Sequence, residues 1–101
     1  MRFRRDRFGD LIRRQLDLFA EDEAELLREA DDAERAYDAA DREDAEEAYG
    51  DLQLVLEAIA DRLEELRDTY TSTLGSDADI AYALAFGRAA RKRFPKLRAE
   101  L

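Results

Sequence analysis

Residues that could do chemistry are scarce in this 101-residue chain, which contains no histidine, no cysteine and no tryptophan. Their absence excludes a thiolate nucleophile, a histidine base and a cysteine- or histidine-bound zinc site. Ser72 and Ser76 have no histidine to activate them, and the sequence has no glycine-rich phosphate loop. We therefore predict that the protein is not an enzyme and uses no cofactor or metal ion.

One carboxylate stands apart from the many acids, because Glu23 is the only charged residue within an apolar heptad stripe. An inward glutamate could serve as an acid, a base or a metal ligand, but carboxylate-bridged metal sites in helical bundles also use a Glu-x-x-His pair. The alternative is an ion pair that fixes the helix register, with Arg62 or Arg67 as the partner. The lack of histidine favours the ion pair.

The stripe consists of residues at alternating steps of three and four, which is the spacing of a coiled-coil seam. Its long apolar residues and alanines predict an all-α fold, since no proline occurs before residue 95. The first run contains Ile12, Leu16, Phe19, Leu26, Ala30, Ala33, Tyr37 and Ala40, and the second contains Ala45, Tyr49, Leu52, Leu56, Ile59, Leu63, Leu66, Tyr70 and Thr73.

An acid-rich segment separates the two runs and predicts a turn between them. Asp44 and Glu47 have the spacing of a capping box, and acids are favourable at a helix N-terminus. The two runs should therefore pack as a long antiparallel, coiled-coil-like hairpin. The predicted organisation is a single helical domain over residues 1–101, with a helix at 9–40, a turn at 41–44, a helix at 44–73, a shorter third helix at 77–94 and a loose tail at 95–101.

The third helix is expected to fold back onto the open end of the hairpin and to end before Pro95. Its predicted packing stripe is Ile80, Leu84, Gly87, Ala90 and Phe94. One short helix cannot cover both outer faces of the hairpin, so we predict that apolar residues outside the seam form a homodimer interface and a dimeric four-helix core. The predicted interface residues are Leu11, Leu18, Leu54, Val55, Tyr82 and Phe86.

Charge is segregated along the chain, whose net charge is −9. Residues 1–14 carry six arginines against two aspartates, residues 15–87 carry five arginines against 23 acids, and residues 88–101 carry six bases against one acid. The basic ends could bind nucleic acid or another anionic surface, or could instead face acidic protein surface in an assembly contact. The possible anion-binding residues are Arg2, Arg4, Arg5, Arg88, Arg91, Lys92 and Arg93.

A minor alternative comes from Tyr49-Gly50-Asp51 near the predicted turn, which is loosely similar to the Trp-x-Gly of the secreted WXG100 helical hairpins. The tryptophan and the spacer are missing here. The C-terminal Tyr-x-x-x-Asp/Glu pattern of that family is also missing, because Tyr70 leads to Leu74 and Tyr82 to Phe86. The resemblance covers three residues and the chain length, and it implies a secreted hairpin.

The function that the sequence favours is non-catalytic: a self-associating helical interaction module, acting as a scaffold or adaptor for a protein partner that the sequence does not identify. Binding of an anionic polymer is the alternative. The chain has no run of roughly 18 apolar residues, the length that a membrane-spanning helix needs, so we expect a cytoplasmic protein.

Overall fold

In the computed structural model, residues 7–101 are described, and within them the chain forms helices and turns without any strand. The predicted all-α fold class is confirmed. The elements are α1 (Gly9–Asp22), α2 (Ala24–Ala39), α3 (Ala45–Thr71), α4 (Ser76–Arg93) and a final 3-10 turn, Pro95–Leu97.

The first predicted helix, over residues 9–40, is divided into α1 and α2 by a break at Glu23. This residue leaves helical geometry, with φ −108° and ψ 27°. The break is one residue wide, because the Glu23 amide still donates to the Phe19 carbonyl at 2.8 Å and the Leu27 amide to the Glu23 carbonyl at 2.9 Å. Its physical reason lies in the packing: α1 contacts α4, whereas α2 contacts α3.

The helices α2 and α3 contact each other and are connected by residues 40–44. Beside this connection the rings of Tyr37 and Tyr49 contact each other with centroids 5.5 Å apart. At the far end of α2, Arg62 reaches Glu23. The capping expectation is only partly met: Asp44 occupies the N-cap position of α3, but its side chain makes no capping hydrogen bond. Glu46 and Glu47 lie in the first turn of α3, where their negative charges interact favourably with the positive end of the helix dipole.

The orientation of α4 differs from the prediction. Ile80 and Leu84, expected in the core, are 64% and 61% exposed, whereas Tyr82 and Phe86, expected at an outer face, are 0% and 2% exposed. The helix contacts both α1 and α3, so it needs a wide buried surface. Two aromatic side chains bury more apolar area than an isoleucine and a leucine, which favours this rotation.

The C-terminal residues also differ from the predicted loose tail. Helix α4 ends at Arg93, and Phe94 before the proline has a non-helical backbone, with φ −126° and ψ 75°. The following 3-10 turn contacts both α3 and α4. Leu97 is 1% exposed in the core, so burial of this side chain holds the segment in place.

The molecule is elongated, with principal extents of 53 × 30 × 22 Å. Its radius of gyration is 16.1 Å, compared with about 13 Å for a compact 100-residue domain. The seam predicted from the heptads forms most of its core, where Ile12, Leu16, Phe19, Ala30, Leu52, Leu56, Ile59 and Leu63 are buried. A rod of this kind leaves long helix faces in solvent, and these faces are its main candidate functional surface.

Candidate interaction surfaces

Glu23, the carboxylate with the most unusual sequence position, forms an ion pair. Arg62 Nη1 donates to Glu23 Oε1 at 2.5 Å, linking the start of α2 to α3. The Glu23 side chain is 21% exposed and that of Arg62 is 52% exposed, so the pair lies at the edge of the core. Among residues 7–101, no group of three or more acidic side chains is arranged to hold a metal ion.

Among residues 7–101, Tyr82 is the one residue with an ionisable side chain in the buried core. Its hydroxyl donates a 2.8 Å hydrogen bond to Gln15 Oε1 on α1. The ring contacts those of Phe8, Tyr70 and Phe86, with centroids 4.7–5.7 Å away. Burial raises the pKa of Tyr82 to about 12, so the hydroxyl stays protonated at neutral pH and joins α4 to α1 as a hydrogen-bond donor.

Two bases near the end of α4 are held by acids of the same chain. Arg93 Nη1 lies 2.8 Å from Asp17 Oδ1 on α1. Lys96 Nζ lies 2.5 Å from Asp31 Oδ1 and 2.9 Å from Glu34 Oε1 on α2. The hydrogen bond between Lys96 and Asp31 lowers the pKa of Asp31 and raises that of Lys96. These contacts tie the C-terminal segment to the first two helices.

The other predicted anion-binding residues are placed differently. Arg88 and Lys92 are exposed, and Arg91 is half-buried. A Cβ atom at Gly87 would lie 3.3 Å from Arg91 Nη1, so the Arg91 guanidinium folds back over the glycine. Within residues 7–101, none of these three bases forms an ion pair. The predicted residues Arg2, Arg4 and Arg5 lie outside the described part of the chain.

The predicted interface residues divide into three groups. Leu18 and Leu54 are exposed, at 58% and 67%. Leu11 and Val55 are half-buried and pack against the core of their own chain. Tyr82 and Phe86 are fully enclosed by the chain and offer no surface to a partner.

The sequence prediction missed Ile80 and Leu84 as surface residues. Their spacing of four residues is visible in the sequence, but it predicts a buried stripe. With Arg88 and Arg91 they form what we call the α4 face, which is apolar toward the start of the helix and basic toward its end. Beside it, Leu84, Gly87 and Arg91 line a groove of about 260 Å³ against α3.

A second face surrounds Leu54 on α3. Asp51, Glu57 and Asp61 lie three or seven residues from Leu54, so all four share one side of the helix. All four residues are exposed, and none of the three acids forms an ion pair within residues 7–101. We call these four residues the α3 face; it carries a single leucine among acids.

None of the helices formed by residues 7–101 combines the length and the apolar character that crossing a membrane would require. Comparison of the chain with protein-family models, with curated proteins and with solved structures gave no match.

Proposed function

We propose that this chain is a non-catalytic protein–protein interaction module that associates with itself as a homodimer, pairing two helical hairpins into a four-helix core. The observation that carries the proposal is the exposure of Ile80 and Leu84, at 64% and 61%, on the same side of α4. They are one helical turn apart, so they form a continuous apolar strip.

Scattered exposed leucines are ordinary on soluble proteins, but adjoining ones with a groove beside them favour a contact site. Leu54, at 67% exposure, adds an exposed apolar side chain on α3. The elongated core also supports association, because a rod exposes more apolar surface per residue than a sphere. In a dimer these side chains would leave water without rearrangement of the monomer core.

The non-catalytic part of the proposal is supported by what the ionisable side chains do. The sequence offers neither histidine nor cysteine. Glu23 forms an ion pair with Arg62, and the Tyr82 hydroxyl donates a hydrogen bond to Gln15. These groups bind one helix to another.

Sedimentation equilibrium at about 1–100 µM tests self-association directly, since mass action makes a dimer depend on concentration. We expect a mass approaching twice the 11.7 kDa of the chain at the higher concentrations. The double variant Ile80→Ser, Leu84→Ser should remain a folded monomer, while Leu11→Ala, a half-buried control, should still dimerise. A wild-type mass of 11.7 kDa throughout would contradict the proposal.

Binding of an anionic polymer is a second candidate, supported by one observation. Arg13, Lys92 and Arg93 line a groove of about 370 Å³ between α1 and α4. Arg13 and Arg93 are already paired with Asp10 and Asp17, which leaves Lys92 as the base without an acid partner among the described residues. This makes the candidate weaker than self-association.

A fluorescence titration with a mixed-sequence oligonucleotide at about 0.1 M salt separates the two candidates. A phosphate-binding surface should bind at micromolar concentration, with a log–log salt slope of several units. Arg13→Glu with Lys92→Glu, two changes in this groove, should abolish that binding. We expect no binding of the oligonucleotide by the wild type. Salt-sensitive binding would instead favour the anionic-polymer candidate.

A further inference from the structure

We propose that the partner of the α4 face is the α3 face of a second copy of this chain. The inference rests on the proposed self-association and identifies the two surfaces that meet. In a two-fold dimer the contact would occur twice, with each α4 face covering the α3 face of the other copy. Such an interface closes on itself and does not propagate into a filament.

Charge determines which faces can pair. The α4 face carries Arg88 and Arg91, and the α3 face carries Asp51, Glu57 and Asp61; none has an ion-pair partner within residues 7–101. Two α4 faces would bring like positive charges together, and two α3 faces would bring like negative charges together. Only the mixed pairing places opposite charges in contact, and like-charge juxtaposition is a strong selector against wrong partners.

The spacing of the two faces also fits. If Leu84 packs on Leu54, Arg88 and Arg91 lie about 6 and 10 Å further along α4, at 1.5 Å per residue. Acids lie on both sides of Leu54, so either relative direction of the helices places a carboxylate near the arginines. Ile80, one helical turn before Leu84, would lie over Gly50 or Ala58, depending on the relative direction of the helices. Glycine has no side chain and alanine has a small one, so either position leaves room for Ile80.

Gly50 supports this arrangement independently of charge. It lies within α3 at a cost of about 1 kcal/mol relative to alanine. Apart from its two chain neighbours and the backbone of its own helical turns, no atom of residues 7–101 lies within 4 Å of the position that a Cβ would take. Packing inside the monomer therefore does not require a glycine at position 50. A partner helix that approaches α3 closely would explain why a residue without a side chain is present there.

A charge-exchange experiment tests the pairing. One variant, Arg88→Glu with Arg91→Glu, makes both faces acidic; the other, Asp51→Lys, Glu57→Lys and Asp61→Lys, makes both faces basic. Each variant alone should be monomeric at concentrations where the wild type is dimeric. A 1:1 mixture should recover dimers, because both contacts in the mixed dimer again join opposite charges.

The matched control for the arginine variant is Arg14→Glu with Arg28→Glu, which changes the net charge by the same amount at exposed positions outside both faces. It should dimerise like the wild type. Circular dichroism establishes that each variant keeps its helix content. If either face variant stays dimeric, or if the mixture stays monomeric, the pairing is refuted while self-association stands. If the wild type is monomeric, both proposals fail.

A second measurement does not depend on charge reversal. The chain has no cysteine, so Leu84→Cys and Leu54→Cys can be introduced into separate chains at exposed positions. Oxidation of their mixture should cross-link one variant to the other in preference to either variant with itself. Cross-links confined to identical variants would contradict the proposed contact.

Discussion

Replacement of Leu63 by alanine should destabilise the protein strongly, because Leu63 is 0% exposed where α3 packs in the core. The change removes three carbon atoms from the core, which at about 0.8 kcal/mol each is roughly 2.4 kcal/mol of transfer free energy. The cavity that remains adds to this, so the expected loss in the free energy of unfolding is about 3–4 kcal/mol. That is a large part of the roughly 5–15 kcal/mol typical of a domain.

Leu54→Ala is the matched control, since it makes the same chemical change on the same helix at a side chain that is 67% exposed. Its cost to the monomer should be less than about 1 kcal/mol. Urea unfolding followed by circular dichroism measures both values, at about 1 µM protein so that association contributes little. Near-equal effects at the two sites, or a loss below about 1 kcal/mol for Leu63→Ala, would refute the burial pattern and the heptad phase of α3.

Three further predictions concern the polar contacts. The pKa of Tyr82 is raised to about 12 in the folded protein, so its contribution to stability is fully present below its ordinary value of 10.0 and is lost as the pH rises toward 12. Over this pH range the free energy of unfolding should fall by an amount on the order of 2–3 kcal/mol. The fall should be absent in Tyr82→Phe and retained in Tyr49→Phe. Lys96→Ala should cost no more than about 1 kcal/mol because its ion pairs are partly exposed, and the cost should shrink in 1 M salt. Since Lys96 lowers the pKa of Asp31, that cost should also shrink as the pH falls through the folded-state pKa, whereas Lys92→Ala should show neither dependence. A double-mutant cycle with Glu23→Ala and Arg62→Ala should give a coupling of about 0.2–1 kcal/mol at neutral pH, and a value above about 3 kcal/mol would mean that the pair is far more buried than its position indicates.

The core of α3 could be predicted because one stripe dominates that helix. Leu52, Leu56, Ile59 and Leu63 follow the heptad spacing and are all buried. The Glu23–Arg62 pair was predictable for the same reason, since a charged residue in a seam needs a nearby opposite charge. The end of α4 before Pro95 follows from local backbone sterics alone.

The rotation of α4 could not be predicted, because that helix carries two apolar stripes. Ile80 and Leu84 define one, and Tyr82 and Phe86 define the other. Which stripe is buried depends on the shape of the space between α1 and α3, and that shape exists only after the chain folds. The observed rotation of α4 changes part of the candidate site. It buries Tyr82 and Phe86, which were predicted interface residues, and it exposes Ile80 and Leu84.

The sequence by itself determined the helical class, the buried stripe of α3 from Leu52 to Leu63 and the segregation of charge, because each depends on spacing and residue type within a local segment. The tertiary structure alone decided the break at Glu23, the burial of Leu97 and the outward face of α4. These depend on which distant segments compete for the same apolar surface. That competition is a property of the whole packed chain and leaves no periodic signal in any one segment.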